Sequence, residues 1–412
     1  AARSGRRQSG RLGRGSREKD TFRSFSLTGL KPGTTYYFKL TSAKLIYPLD
    51  DQGPGEVVDP KYEAITFTTK TADPTPRTLY VATDGNDAAS GLERGSAWRS
   101  IAHAASQALP GDTVLVAGGT YMEKVRVRTT GTEGRPIQFK SIPGEKVILD
   151  GSGRRIETAF VINGKSHIAV DGFYFRDFRL GGQSNNAQRV INVNQSSHIT
   201  LRRLLWDGRG AGYSGGLLMG ADSSDVLVSN CVMIRGSDGM EVSFCPGFRV
   251  EHCVFISHMI EAAKLSTPAT VSNNIICDSG AFKAKSNIPF MQLGDQDAIV
   301  DRNNCYFLRV PETERTLYLV INFKEGGKVL GHTRMTLPDY KKRVAPTDSV
   351  VLDPQFAIFK RLDPAKVPAF PIDQFVDTAV PLDFPDLFAT NPEVVKRGMG
   401  LQPEAFANII TK

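Results

Sequence analysis

The chain has 412 residues, 40% hydrophobic and 23% charged. That is enough to bury a sizeable core and to hold two or three domains, and it excludes a wholly disordered chain. No apolar run approaches the roughly 18–20 residues of a spanning helix, which excludes a helical integral membrane protein.

The net charge of +8 is unevenly spread: residues 1–20 carry seven Lys/Arg against two Asp/Glu, and the remainder is nearly balanced. Residues 1–20 read as a disordered basic tail, with non-specific contact to polyanions as its only implied role. The folded body shows no bias toward nucleic acid, and no nucleic-acid or membrane partner is expected. Cys231, Cys245, Cys253, Cys277 and Cys305 lack CxxC spacing and are odd in number. They read as small buried hydrophobes rather than a metal site or disulfide framework. The N-terminus shows no apolar signal core.

Residues 21–70 read as short strands. FSLTGL leads through Lys31-Pro32-Gly33 into TTYYFKLTSAK, and AITFTTKT follows. Leu30, Pro32, Gly33, Thr34 and Tyr36 resemble the tyrosine corner of a fibronectin type III domain, which implies about half of such a sandwich and a spacing or adhesion role. Residues 71–78 (TADPTPRT) are a Pro/Thr linker.

From residue 79 the pattern changes. A strand and a Gly/Asn/Asp turn (LYVATDGNDAASG) precede an amphipathic helix with Trp98, Ile101, Ala105 and Ala108 at helical spacing, stopped by Pro110-Gly111. His103 lies on this helix and reads as a packing or surface residue. Short β-branched runs broken by glycine follow. Next comes a repeat. The apolar residues Val170, Leu201, Val228, Val250, Val271 and Val300 each open a short strand at intervals of 21–31 residues, and another short strand precedes each by about eight. A period in the twenties with two or three strands per unit predicts a solenoid whose coils bury their apolar faces only by stacking. A leucine-rich repeat would need an L-x-x-L-x-L pattern that is absent, so a parallel β-helix is expected. Asn230, Asn274 and Asn304, with His252 as a variant, predict a side-chain ladder in one turn.

The block YVATDGNDAASG…SAWRSIAHAASQALPGDTVLVAGGTYMEKVRV…PIQFKSIPGEKVILDGSG resembles the opening of right-handed parallel β-helix proteins. That group includes polysaccharide lyases of the pectate-lyase and chondroitinase-B kinds and some glycoside hydrolases. The resemblance implies an all-β right-handed parallel β-helix over residues 79–310, with the helix capping its first coil against edge pairing. It also implies a polysaccharide substrate, a monomer, and a secreted, periplasmic or cell-surface location. Residues 311–412 are proline-rich, and SVVLDPQF resembles the segments that follow the last coil in such proteins. Extended chain packed on the helix end or flank is expected there.

Side chains alternate between the faces of a strand. Aligning the coils puts Val193, Val242 and Ala263 inward. Asn192 and Asn194, Met219 and Ala221, Glu241 and Ser243, and Ala262 and Lys264 then face outward. Glu241 and Lys264 fall on neighbouring coils about 5–7 Å apart. Arg235, Asp238, His258 and Glu261 flank them in the turns, and Lys283 and Lys285 lie on the next coil. The candidate catalytic residues are therefore Lys264, Glu241, Arg235 and Asp238. His258, Glu261, Lys283, Lys285, Asn192 and Asn194 are candidate substrate contacts.

A lyase acting by β-elimination on a uronic acid would use Lys264 as base and Arg235 as the carboxylate's fork. Calcium would assist if Asp238, Glu241 or Glu261 held it through hard oxygens, and no other cofactor is expected. Alternatively, Glu241 with Asp238 or Glu261 forms the carboxyl pair of a glycoside hydrolase. A third reading is a non-catalytic glycan-binding solenoid on which Glu241 and Lys264 are a solvated ion pair. Residues 231–290 hold five Lys/Arg and five Asp/Glu, which favours a modestly charged uronate or neutral glycan over a highly sulfated one. Asp295, Asp297 and Asp301 lack EF-hand spacing and read as turn or edge residues, and the Gly-rich stretch 208–216 lacks phosphate-loop context. Tyr174, Trp206, Tyr213 and Phe244 are candidate sugar-stacking surfaces.

Overall fold

The computed structural model describes residues 5–6, 25–26, 33–38, 44–46, 55–57, 65–68, 75–152, 158–178, 189–208, 216–234, 236, 238–256, 261–277, 291–295, 299–307, 318–360 and 383–407. The chain divides into two compact units, Ala1–Thr75 and Pro76–Lys412. In the first unit, Thr35–Phe38 pairs antiparallel with Ile65–Thr68 and Lys44–Ile46 with Gly55–Val57. The fibronectin-like reading stays an expectation for this unit.

The second unit is a parallel β-helix. Its strands fall into three nine-stranded sheets, and strands adjacent within a sheet are about one coil apart in sequence. Six consecutive coils run from Phe160–Asn163 to Cys305–Phe307, each contributing one strand to every sheet in turn. The first sheet contains Met240–Ser243, the second Phe248–Glu251, and the third Val254–Ile256. The period-2 pattern explains the faces. In the second sheet Val170, Leu201, Val228, Val250 and Val271 stand in register and are buried. Each closes its neighbour's apolar face, which no single coil could do.

The last anchor differs by one residue. Val271 pairs with Asp301, while Val300 pairs with Thr270 and is 43% exposed. A one-residue shift turns a side chain to the other face. Asp301 therefore points inward, where Tyr306, Tyr318, Thr347 and Ser349 donate hydroxyl hydrogen bonds to it. Buried polar groups persist when paired in this way.

The turn between the second and third sheets holds two rows where one was expected. Asn230, His252, Asn273 and Asn303 all adopt a left-handed backbone, and the amides of the first three donate to the carbonyls of Glu251, Ser272 and Arg302 on the next coil. Asn and His tolerate that conformation better than branched residues. The inner row runs Cys231, Cys253, Asn274, Asn304. The Cys231 amide donates to Cys253 Sγ, that of Cys253 to Asn274 Oδ1, and that of Asn274 to Asn304 Oδ1. Asn230 thus belongs to the outer row, and two cysteines take ladder positions. All five cysteines are buried and none forms a disulfide.

Helix Ile101–Gln107, N-capped by Ser100, buries Ile101, Ala104 and Ala105 against strands Thr78–Val81 and Val125–Arg126. Trp98 precedes the helix; its ring meets His103 edge-on, which makes His103 a packing residue. Beyond residue 310 the expected extended chain is only part of the arrangement. Tyr318–Glu325 adds to the first sheet in parallel and turns at Gly326-Gly327 into the antiparallel strand Lys328–Met335. The final segment lays Phe356, Ile358, Phe384, Leu387, Val394, Met399, Leu401 and Phe406 in one buried cluster with the outward row of the third sheet.

Candidate active site on the first sheet

Strand Met240–Ser243 buries Met240 and Val242 and turns Glu241 and Ser243 outward; Ala263–Ser266 does the same with Ala263 and Leu265 inside and Lys264 outside. Parallel register sets Glu241 directly beside Lys264, one rung of about 4.8 Å away. In Cα register, Gln292 follows Lys264 on one side, and Asn192 and Met219 precede Glu241 on the other. Asn194 heads the parallel row through Ala221 and Ser243 to Ser266. The Oδ1 atoms of Asn192 and Asn194 are buried without a hydrogen-bond partner among the described residues. Ala262, expected outside, is buried in the core because it precedes the strand.

The flanking turn supplies the rest. Arg189, Gly216, Asp238 and Glu261 each lie two residues before a strand of this sheet, and main-chain bonds such as Val190 to Gly216 and Leu217 to Gly239 align them in a row. A Cβ on Gly216 would stand 2.4 Å from the Gly239 carbonyl and 2.7 Å from that of Asp238, so only glycine fits there. Arg189 reaches past this coil. Its Nη2 donates to Asp238 Oδ2 at 3.1 Å and to Glu241 Oε2 at 2.9 Å. Lys264 Nζ lies 3.9 Å from both Asp238 Oδ1 and Glu261 Oε2.

The cluster is graded in depth. Arg189 is 1% exposed, Asp238 4% and Glu261 5%, whereas the side chains of Glu241 and Lys264 are 39% and 28% exposed. Burial, reinforced by the neighbouring Asp238 and offset in part by Lys264, pushes the Glu261 carboxyl up to about 8. It therefore holds a proton at neutral pH. Glu261 was expected to touch substrate; its burial instead makes it an acid standing behind Lys264.

The structure thus brings together Lys264, Glu241, Asp238 and Glu261, with Asn192 and Asn194 on the same face. Arg235, His258, Lys283 and Lys285 lie outside the described residues. Arg189 escaped the sequence reading because it sits about fifty residues before its partners. Aligning the coils on strand starts, with the two preceding residues included, would have placed it in the row of Asp238 and Glu261. Among the aromatic candidates, Trp206 is wholly inside the core, and Tyr174 is buried under the C-terminal segment with its hydroxyl on Asp383. Phe244, which follows Ser243, is 70% exposed and has a φ of 49°. A bulky side chain in that left-handed region is strained, and such strain concentrates at functional sites. Tyr213 lies outside the described residues.

The donor set does not suit calcium, which seeks six to eight hard oxygens. Two of the three expected ligands, Asp238 and Glu241, are bridged by a guanidinium, and the third is protonated. Among the described residues no group of three metal-capable side chains converges.

Coil, register and outward charged row define a parallel β-helix with a candidate ligand face on its first sheet. Residues 79–242 match the family described as "Pel9A-like, right handed beta helix region", and this part of the chain is a right-handed parallel β-helix. The chain is 32% identical over 128 residues to the uncharacterized protein YwoF of Bacillus subtilis (strain 168), covering 30% of this chain and 27% of that one. It is 36% identical over 75 residues to pectate lyase PEL9 of Emericella nidulans, covering 18% of each. The matched stretches thus span about a quarter or less of these relatives. A solved rhamnogalacturonan lyase superposes with a TM-score of 0.49 at 13% identity, over 80% of this chain and all of that one. The crystal structure of pectate lyase Pel9A gives 0.42 at 14% identity, over 78% and 91%. Among the described residues no helix is long and apolar enough to cross a membrane.

Proposed function

We propose that this protein is a polysaccharide lyase that cleaves a uronic-acid-containing glycan by β-elimination on the outward face of the first sheet, acting outside the cell. The observation that carries the reading is the depth grading of the site. Lys264 is the amine that reaches the ligand face, in register with Glu241, and acids and Arg189 stand behind it. The Pel9A-like coil and the local identity to a pectate lyase support the same class of reaction.

In this mechanism Lys264 Nζ, as the free amine, takes the proton from the carbon beside the uronate carboxylate. The released electron pair forms the carbon–carbon double bond, and the glycosidic oxygen leaves and takes a proton from water. Arg235 is the proposed fork on the carboxylate, with Lys283, Lys285 and His258 as further contacts. Asn192 and Asn194 are further proposed contacts on the same face.

One observation favours a hydrolase as second reading: the Glu261 carboxyl, pushed up to about 8 by burial, is the kind of acid a glycosidase needs. Burial counts against it. Glu261 and Asp238 are 5% and 4% exposed, so of the three carboxyls only Glu241 meets a ligand directly. Digestion of a panel of uronate polymers separates the two. Elimination yields products with the absorbance of an unsaturated uronate, while reducing ends without that absorbance would establish hydrolysis and overturn the proposal.

A further inference from the structure

A cation already sits among the carboxylates of this site, and it belongs to the chain. Asp238 and Glu241 are three residues apart, one in the turn and one on the strand that follows. Two carboxylates so placed would ordinarily repel each other or gather a hard cation. Here Arg189 lies between them, with the single nitrogen Nη2 bonded to one oxygen of each at 3.1 and 2.9 Å. The guanidinium arrives from two coils away and ends 1% exposed. A charge so deeply buried persists only when paired, and these two contacts pair it. The Lys264 amine faces the other oxygen of Asp238 at 3.9 Å.

We infer that Arg189 is the resident cation of the site: its guanidinium holds Asp238 and Glu241 in place behind Lys264 and closes the carboxylate cluster to divalent metal ions. Arg189 is a positioning residue that never touches substrate. Its charge is permanent, since guanidinium does not deprotonate in proteins, so the cluster stays assembled in the presence of chelator. The inference rests on the geometry of the cluster and not on elimination, and its test reads metal binding rather than activity.

Calcium is titrated into the full chain by calorimetry, and unfolding midpoints are compared in calcium and in chelator. The unaltered protein shows no calcium binding at this cluster and one midpoint in both. Arg189→Ala removes the guanidinium from both carboxylates and gains calcium binding, with Kd on the order of 10⁻⁴–10⁻³ M, and its midpoint rises with calcium. Adding Asp238→Asn abolishes the gain, and Arg189→Lys, which keeps a cation in place, does not show it. A merely structural arginine would lower stability without creating a metal site. Calcium binding by the unaltered protein that Asp238→Asn removes would overturn the inference. So would a folded Arg189→Ala that takes up no calcium. If Arg189→Ala folds only with calcium present, the inference stands; if it folds under neither condition, the titration of the unaltered protein decides.

Discussion

The first and third sheets are built from the same coils, yet their outward faces have opposite fates. On the third sheet the outward row runs Tyr174, Leu205, Val232, Val254, Ile275 and Cys305, buried and packed with the C-terminal segment. On the first sheet the equivalent row includes Asn192, Glu241, Lys264 and Gln292, none of them fully buried. One face is a second hydrophobic core, where each covered Val, Ile or Phe contributes about 1.5–3 kcal/mol. The other leaves charged tips at the surface over a buried ionic base. In a solenoid every outward row is repeated by register, so chemistry on one face and covering of another divide function from stability with little overlap.

The sharpest break in this comparison is Lys264→Ala. If Lys264 is the proposed base, its loss should lower the proposed elimination rate by about 10²–10⁴-fold. The unfolding free energy should change by about 1 kcal/mol or less, since Lys264 is part-exposed and its ion-pair distances are long. Rate and denaturant melting measured on one preparation check both halves. The reciprocal change is Phe384→Ala. Phe384 is wholly buried against Tyr174 and Phe406, and its truncation should cost about 3–5 kcal/mol while leaving the rate per folded molecule unchanged. A fall in that rate would show that the two faces are coupled.

Glu261→Gln addresses the buried base of the site. Below the ordinary carboxyl range both folded and unfolded chains hold the proton. As pH rises from 4.5 toward about 8, the unfolded chain ionises while the folded chain stays protonated, so stability falls across that window and levels off above it. The variant should lose this fall and gain on the unaltered protein by as much as a few kcal/mol near pH 8, as measured by denaturant melts at stepped pH. The smallest effect is expected from Phe244→Ala. Removal of an exposed ring at the edge of the ligand face should raise KM several-fold, about 0.5–1.5 kcal/mol of stacking, with kcat unchanged. An unchanged KM would take Phe244 out of the ligand face.

Much of this was legible in the residues because a coil repeats its hydrophobic period locally. The spacing of Val170, Leu201, Val228, Val250 and Val271 was enough to stack the coils and to set Glu241 beside Lys264. Alternation on a strand is a short-range rule, and it held wherever the strand start was correctly located. It failed at Val300, where one residue of register exchanged an outward valine for the inward Asp301, and at Ala262, which lies before its strand.

What the amino-acid pattern determined by itself was the coil, its stacking direction and the outward pair Glu241 and Lys264, since each follows from periodicity within one or two repeats. Tertiary structure alone decided that Arg189 joins Asp238 and Glu241, that burial raises the Glu261 carboxyl, and that the described C-terminal residues pack on the third sheet. Those outcomes depend on burial and on reach across coils. Such quantities exist only once residues distant along the chain have been brought within a few ångströms of one another.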